Sequence, residues 1–181
     1  MARTKVLAQP DPVGEVVRSF AVNEQINQLL LDRLAPAVWS AHAARSRTRS
    51  IAAIFAHMHN VRRKWIRLSA PHLKLPRALD RGCTREQAQN ALAASGARCA
   101  EMIEEALTSR SGKELNFLRD GWARPWPAGP MMVAYMISHE AHHRGQVCML
   151  AHQFGFPLTG GATSAMWNWE RMEKQLSVSV S

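Results

Sequence analysis

The chain has no apolar run approaching the roughly 18 residues needed to cross a bilayer, which argues against a membrane-spanning helical protein. Cysteine is scarce: Cys83, Cys99 and Cys148 are odd in number and widely spaced. That argues against a disulfide framework and makes a reduced, cytoplasmic setting the expectation. The opening Met1-Ala2-Arg3-Thr4-Lys5 is polar and leads to Gln9-Pro10-Asp11-Pro12 without an apolar signal core, so export is not expected. Strand signals are few, and no internal repeat or low-complexity stretch is present. Acids are also in deficit, 14 against 23 lysines and arginines, for a net charge of +9. Such a charge favours acidic partners in general. The bases are scattered, however, and no recognised nucleic-acid motif accompanies them, so no specific nucleic-acid partner is expected. The densest cluster, Arg62-Arg63-Lys64 with Arg67, reads as a solvated helix face.

What is present is helical periodicity. At 181 residues, one domain over 1–181 is the expectation, with 1–12 and 176–181 as disordered ends. Val17, Phe20, Ile26, Leu29, Leu30 and Leu34 recur at mostly helical spacing from Val13 to Leu34, and Pro36 reads as a stop. After an arginine-containing loop from Ala41 to Arg47, a second helix is expected from about Thr48 to Ser69. Its stripe is Ile51, Ile54, Met58, Val61, Trp65 and Leu68. Thr84-Arg85-Glu86-Gln87 has the form of a capping box and starts a third helix reaching about Thr108. Gly96, inside it, is tolerated at about 1 kcal/mol against Ala and suits close helix approach. The tryptophan-bearing connection from Gly112 to Pro130 has room for a short hairpin. A fourth helix spans Pro130 to Phe154, ended by Gly155 and Pro157, and one short amphipathic helix covers Thr163 to Gln175. The expected fold is therefore an all-α four-helix bundle with long crossover connections and a short C-terminal helix.

The chemistry concentrates in the fourth helix, in Ser138-His139-Glu140-Ala141-His142-His143-Arg144-Gly145-Gln146. Residues four apart share a helix face, so His139 and His143 can grip one metal ion. His142 falls one position off that face, in a rim role. On the second helix, His57 lies beside Ile54 and Val61 and points inward, whereas His59 leans toward the rim. His57 can therefore meet His139 and His143 across a bundle core and complete a metal site with open coordination positions. Core packing is the plain alternative for each histidine. His42, His72 and His152 read as surface residues, and Cys99 and Cys148 as core packing. Glu140 also makes the run a letter-for-letter H-E-x-x-H, the zinc-protease motif, with Glu170 as a downstream acid. The longer protease pattern fails at Gln146 and Met149.

Two stretches carry a resemblance. Ile54-Phe55-Ala56-His57-Met58-His59-Asn60-Val61 with Trp65, and Tyr135-Met136-Ile137-Ser138 followed by the His139 to Gln146 run, resemble the DinB/YfiT-like superfamily, which is unrelated to the DNA polymerase sharing the DinB name. The resemblance extends from about Phe20 to Trp169, where Met166-Trp167-Asn168-Trp169 is similar to the close of some members. It implies a four-helix bundle whose His57, His139 and His143 hold a divalent metal, nickel or zinc, often in a homodimer. It also implies a low-molecular-weight thiol as cosubstrate, because characterised relatives include thiol-dependent S-transferases and an isomerase acting on small molecules. On that reading Arg144 is available to pair with a cosubstrate carboxylate, with a surface or helix-structural role as the alternative, and Trp65, Tyr135 and Gln146 are candidate pocket walls, with core packing as the alternative for each. Two other readings stay open: a non-enzymatic metal- or ligand-binding stress-response protein, and the H-E-x-x-H protease.

Overall fold

The computed structural model describes residues 11–39, 41, 49–108, 116–118, 125–127 and 130–178. Of the expected disordered ends, 1–12 and 176–181, residues 1–10 and 179–181 lie outside the described residues, as do the loop over 42–47 and His42, whereas Pro12 and residues 176–178 are helical. Helix α1 runs Pro12–Arg33, a one-turn α2 Pro36–Trp39, α3 Ile51–Ser69, α4 Arg85–Thr108 and α5 Pro130–Gln153. Two short helices, α6 (Gly160–Met166) and α7 (Trp169–Val178), close the described chain. Strands β1 (Asn116–Leu118) and β2 (Pro125–Pro127) pair antiparallel in a minimal hairpin, with Phe117 opposite Trp126.

Local chemistry accounts for the helix ends. Asp11 caps α1 by accepting from the Gly14 N–H at 3.0 Å, and Ser50 caps α3 by accepting from Ala53 N–H at 3.1 Å. The capping box forms as its spacing predicts. Thr84 Oγ1 accepts from Gln87 N–H at 3.1 Å, and the Gln87 side chain accepts from Thr84 N–H at 2.8 Å. At the end of α5, Gly155 takes φ +82°, and Phe156 N–H reaches back to the Ala151 carbonyl at 2.9 Å. Two expectations need correction. Pro36 does not only stop α1; its fixed φ suits a first helical position, and it starts α2, whose Trp39 stacks on Phe55 and donates to the Cys83 carbonyl. The single C-terminal helix is two, broken at Trp167 and Asn168, where the Asn168 side chain accepts from Arg171 N–H to start α7.

Helices α1 and α3 each pack on both α4 and α5, and α6 and α7 lie against α1. The four long helices thus close a bundle in which α1 faces α3 and α4 faces α5 across the core. Consecutive long helices, α1 then α3 and α4 then α5, therefore lie diagonally across the bundle, as expected of one with long crossovers.

The apolar core comes in two halves. One gathers Leu30, Phe55, Leu92 and Val147; the other gathers Phe20, Trp65, Cys99, Ile103 and Met136. Along every long helix the boundary between the halves falls on polar or small residues: Asn23 and Asn27 on α1, Arg62 on α3, Ser95 and Gly96 on α4, Glu140 and Arg144 on α5. A Cβ at Gly96 would sit 3.2 Å from both Arg62 Nη1 and Glu24 Cδ, so glycine makes room there for the guanidinium. That is the close approach its place in the third helix suggested.

Candidate functional site

The polar layer is built around Glu140 and Arg62, both with fully buried side chains. Arg62 grips Glu140 with two bonds, Nε to Oε1 at 2.6 Å and Nη2 to Oε2 at 2.7 Å. Its Nη1 donates to the Leu92 carbonyl at 2.9 Å and pairs with Glu24 at 2.6 Å. Asn23 and Asn27, one turn apart on α1, both donate to Glu140 Oε2, at 2.6 and 2.7 Å. Their side-chain oxygens in turn accept from Arg144 Nη1, each at 2.7 Å. Burial alone would raise the pKa of Glu140, but Arg62 and the two amides outweigh it and hold the acid below its usual range, so it is ionised. Burial likewise opposes the charge on Arg62, and Glu140 with Glu24 overcomes it and leaves the guanidinium more basic than in water.

This layer revises several sequence expectations. Arg62 is not part of a solvated basic face; it sits at the centre of the core, and Arg63 is half-buried with its Nε donating to the Pro76 carbonyl. Arg144 is engaged by α1 and so is not presented to a cosubstrate. Glu140 has its carboxylate filled by Arg62, Asn23 and Asn27, which removes the base an H-E-x-x-H protease requires. Glu170 is exposed on α7, paired with Lys174, and supplies no ligand to the histidines.

The histidines occupy the α3/α5 side of the bundle. His57, His139 and His143 come together, each offering a ring nitrogen, and these nitrogens all lie within 4.8 Å of one another. His139 Nε2 and His143 Nε2 are 3.2 Å apart. Nitrogens bound to one ion at about 2.1 Å in a tetrahedron are roughly 3.4 Å apart, so the group fits a single metal ion after small ring rotations. Gln146, one turn beyond His143, accepts from His143 Nδ1–H at 2.8 Å and directs its own amide N–H to His142 Nε2 at 3.1 Å. With the proton held on Nδ1, His143 turns the lone pair of Nε2 into the cluster. Burial, then the neighbouring His143 and Arg49, push the pKa of His57 down to about 4; burial also lowers that of His143. Both are therefore neutral at pH 7, the form a metal requires. Buried Trp65 meets His139 edge-on, with ring centres 5.5 Å apart, and Tyr135 at 6.2 Å.

His59 does not lean to the rim. It is fully buried, 3.1 Å from Ser95 Oγ and 2.8 Å from the Arg77 carbonyl, and burial lowers its pKa. It faces α4 and the connection after α3, whereas His57, two residues earlier, faces α5. His142 is exposed, as are His72 and His152. Cys99 is fully buried and Cys148 half-buried against the core. Asn23, Asn27 and Glu24 escaped the sequence reading. Two asparagines four apart on the inward face of an apolar helix were the available signal, because buried amides need polar partners.

Beside the cluster lies a cavity of about 970 Å³, bounded by Arg49 and Ile54 from the start of α3 and by His143, Gln146, Met149 and Leu150 from α5. Of the three clustered histidines, His143 lines this cavity. Among the described residues, no helix is long and apolar enough to cross a membrane. No curated protein matched the chain. The sequence profile of the DinB family matches residues 4–171, taking in both histidine-bearing helices. Over nearly its whole length, then, the chain belongs to the DinB family.

Proposed function

We propose that His57, His139 and His143 bind one divalent metal ion, zinc or nickel, and that the protein is a metal-dependent enzyme transferring a low-molecular-weight thiol to a small electrophile. The observation that carries the metal reading is the convergence of three imidazoles from two helices next to an open cavity. Imidazole suits both metals, and three protein ligands leave coordination positions for a substrate. When bound, the ion would supply Lewis-acid polarisation and favour the thiolate form of a thiol. The chain's own residues supply orientation. Gln146 sets the His143 tautomer, Trp65 packs against the His139 ring, and the Arg62–Glu140 pair ties α3 to α5 where the ligands face each other. The thiol is supported by the family resemblance, as is assembly into a homodimer, which size-exclusion chromatography would register.

The test is elemental analysis of protein purified without an affinity tag or chelator. About one equivalent of zinc or nickel per chain is expected, lost in His139→Ala, followed by metal-dependent consumption of a thiol in the presence of an electrophile. No metal in either protein after reconstitution at neutral pH would make the histidines core packing. It would leave a non-enzymatic ligand-binding protein as the better reading. Gln146→Leu should weaken metal binding by roughly 10–100-fold without abolishing it, the usual effect of removing a partner that orients a ligand. Chelator competition measures this, and unchanged affinity would show that the Gln146 hydrogen bond does not set the tautomer.

A further inference from the structure

The cavity beside the histidines has an uneven electrostatic character. Of its described lining residues Arg49 is the one arginine or lysine, and none is acidic. The remaining wall is largely apolar, with Ile54, Met149 and Leu150, and carries the neutral amides of Gln146 and Gln153. Arg49 directly precedes Ser50, the N-cap of α3, so the positive end of that helix dipole adds to its field. His142 and His143 line the cavity as well. Arg49 precedes His57 by eight positions, roughly 12 Å at helical rise, and its charge is felt at both His57 and His143.

We infer that Arg49 is a specificity residue that pairs with a carboxylate on the small molecule occupying this cavity, whose other end lies at the histidine cluster. A single guanidinium matches one negative charge and the planar, two-oxygen shape of a carboxylate. The apolar part of the wall, Ile54, Met149 and Leu150, fits a hydrocarbon body of several atoms. Arg144, the arginine that sequence position alone offered for this task, is bound to Asn23 and Asn27 instead. The inference rests on the proposed small-molecule site but does not require the metal.

The test uses a matched pair of probes, 4-phenylbutanoate and the neutral 4-phenylbutanamide. Their affinities are measured by calorimetry on the full chain, both zinc-loaded and EDTA-treated, with metal content determined in parallel. The carboxylate should bind about tenfold more tightly than the amide in both forms, the scale of a charge-assisted hydrogen bond. Arg49→Ala should bring the two probes to parity while leaving the amide affinity unchanged, and Arg49→Lys should keep part of the preference. Parity in the wild type, or absence of binding by both probes, would overturn the inference. So would a preference confined to the zinc form and intact in Arg49→Ala; that result would assign carboxylate recognition to the metal and leave the metal reading standing. An Arg49-dependent preference in protein that takes up no metal would support the inference and remove the metal.

Discussion

Arg62→Ala is expected to destabilise the protein by about 3–5 kcal/mol, the range for breaking a buried ion pair by removing one partner. The reason lies in what remains. Glu140 would keep two amide donors but lose its only cation among the described residues bonded to it, and Glu24 would lose its partner at 2.6 Å. Uncompensated charge in the core is far more costly than a lost surface pair. Since domains are stable by only about 5–15 kcal/mol, the variant should lose roughly 10 °C or more in Tm. Arg67→Ala, a few positions on but exposed, should stay within about 0.5 kcal/mol of wild type. Urea denaturation of both variants, with Glu140→Ala and the double variant, gives the coupling energy directly. Coupling near zero would mean that the polar layer does not hold α3 to α5. Coupling above about 1 kcal/mol is expected for groups in one hydrogen-bonded network.

His143→Ala should remove most of the bound metal, an effect larger than the roughly 10–100-fold loss typical of changes around the ligands. His143 is central to the cluster. Its ring centre lies 4.7 Å from that of His57 and 4.6 Å from that of His139, and Gln146 holds its tautomer. His59→Ala should leave metal stoichiometry at the wild-type level and instead lower stability, because it unpairs the Arg77 carbonyl and opens a cavity beside Ser95. The two variants thus separate site from scaffold: metal content should fall in one, Tm in the other. Metal retained in His143→Ala would show that the ligand set has been misassigned. Metal lost in His59→Ala, with His57→Ala unaffected, would mean that the wrong face of α3 had been placed against α5.

Helix spacing made much of this protein legible. The four long helices, the capping box at Thr84, the glycine stop at Gly155 and the face shared by His139 and His143 are local properties. They follow from a repeat of 3.6 residues and from hydrogen bonds within a few positions. The inward direction of His57 was also accessible, because its neighbours Ile54 and Val61 mark one face of α3.

The directions of charged side chains were not accessible in this way. Arg62 stands in a run of bases, and such runs are ordinarily solvated. Nothing within α3 reveals that its guanidinium enters the core, since Glu140, Glu24 and the asparagines that compensate it come from other helices. Glu140 carries the same ambiguity: the letters H-E-x-x-H suit a catalytic base, and only the positions of α1 and α3 turn that carboxylate into an internal anchor. His59 was misjudged for a similar reason, because the Arg77 carbonyl that receives its N–H belongs to the connection after α3. The sequence by itself determined which segments are helical and which histidines can share a face. Only the tertiary structure decided which polar groups are buried, because the favourable energy of a buried charge resides in partners distant along the chain.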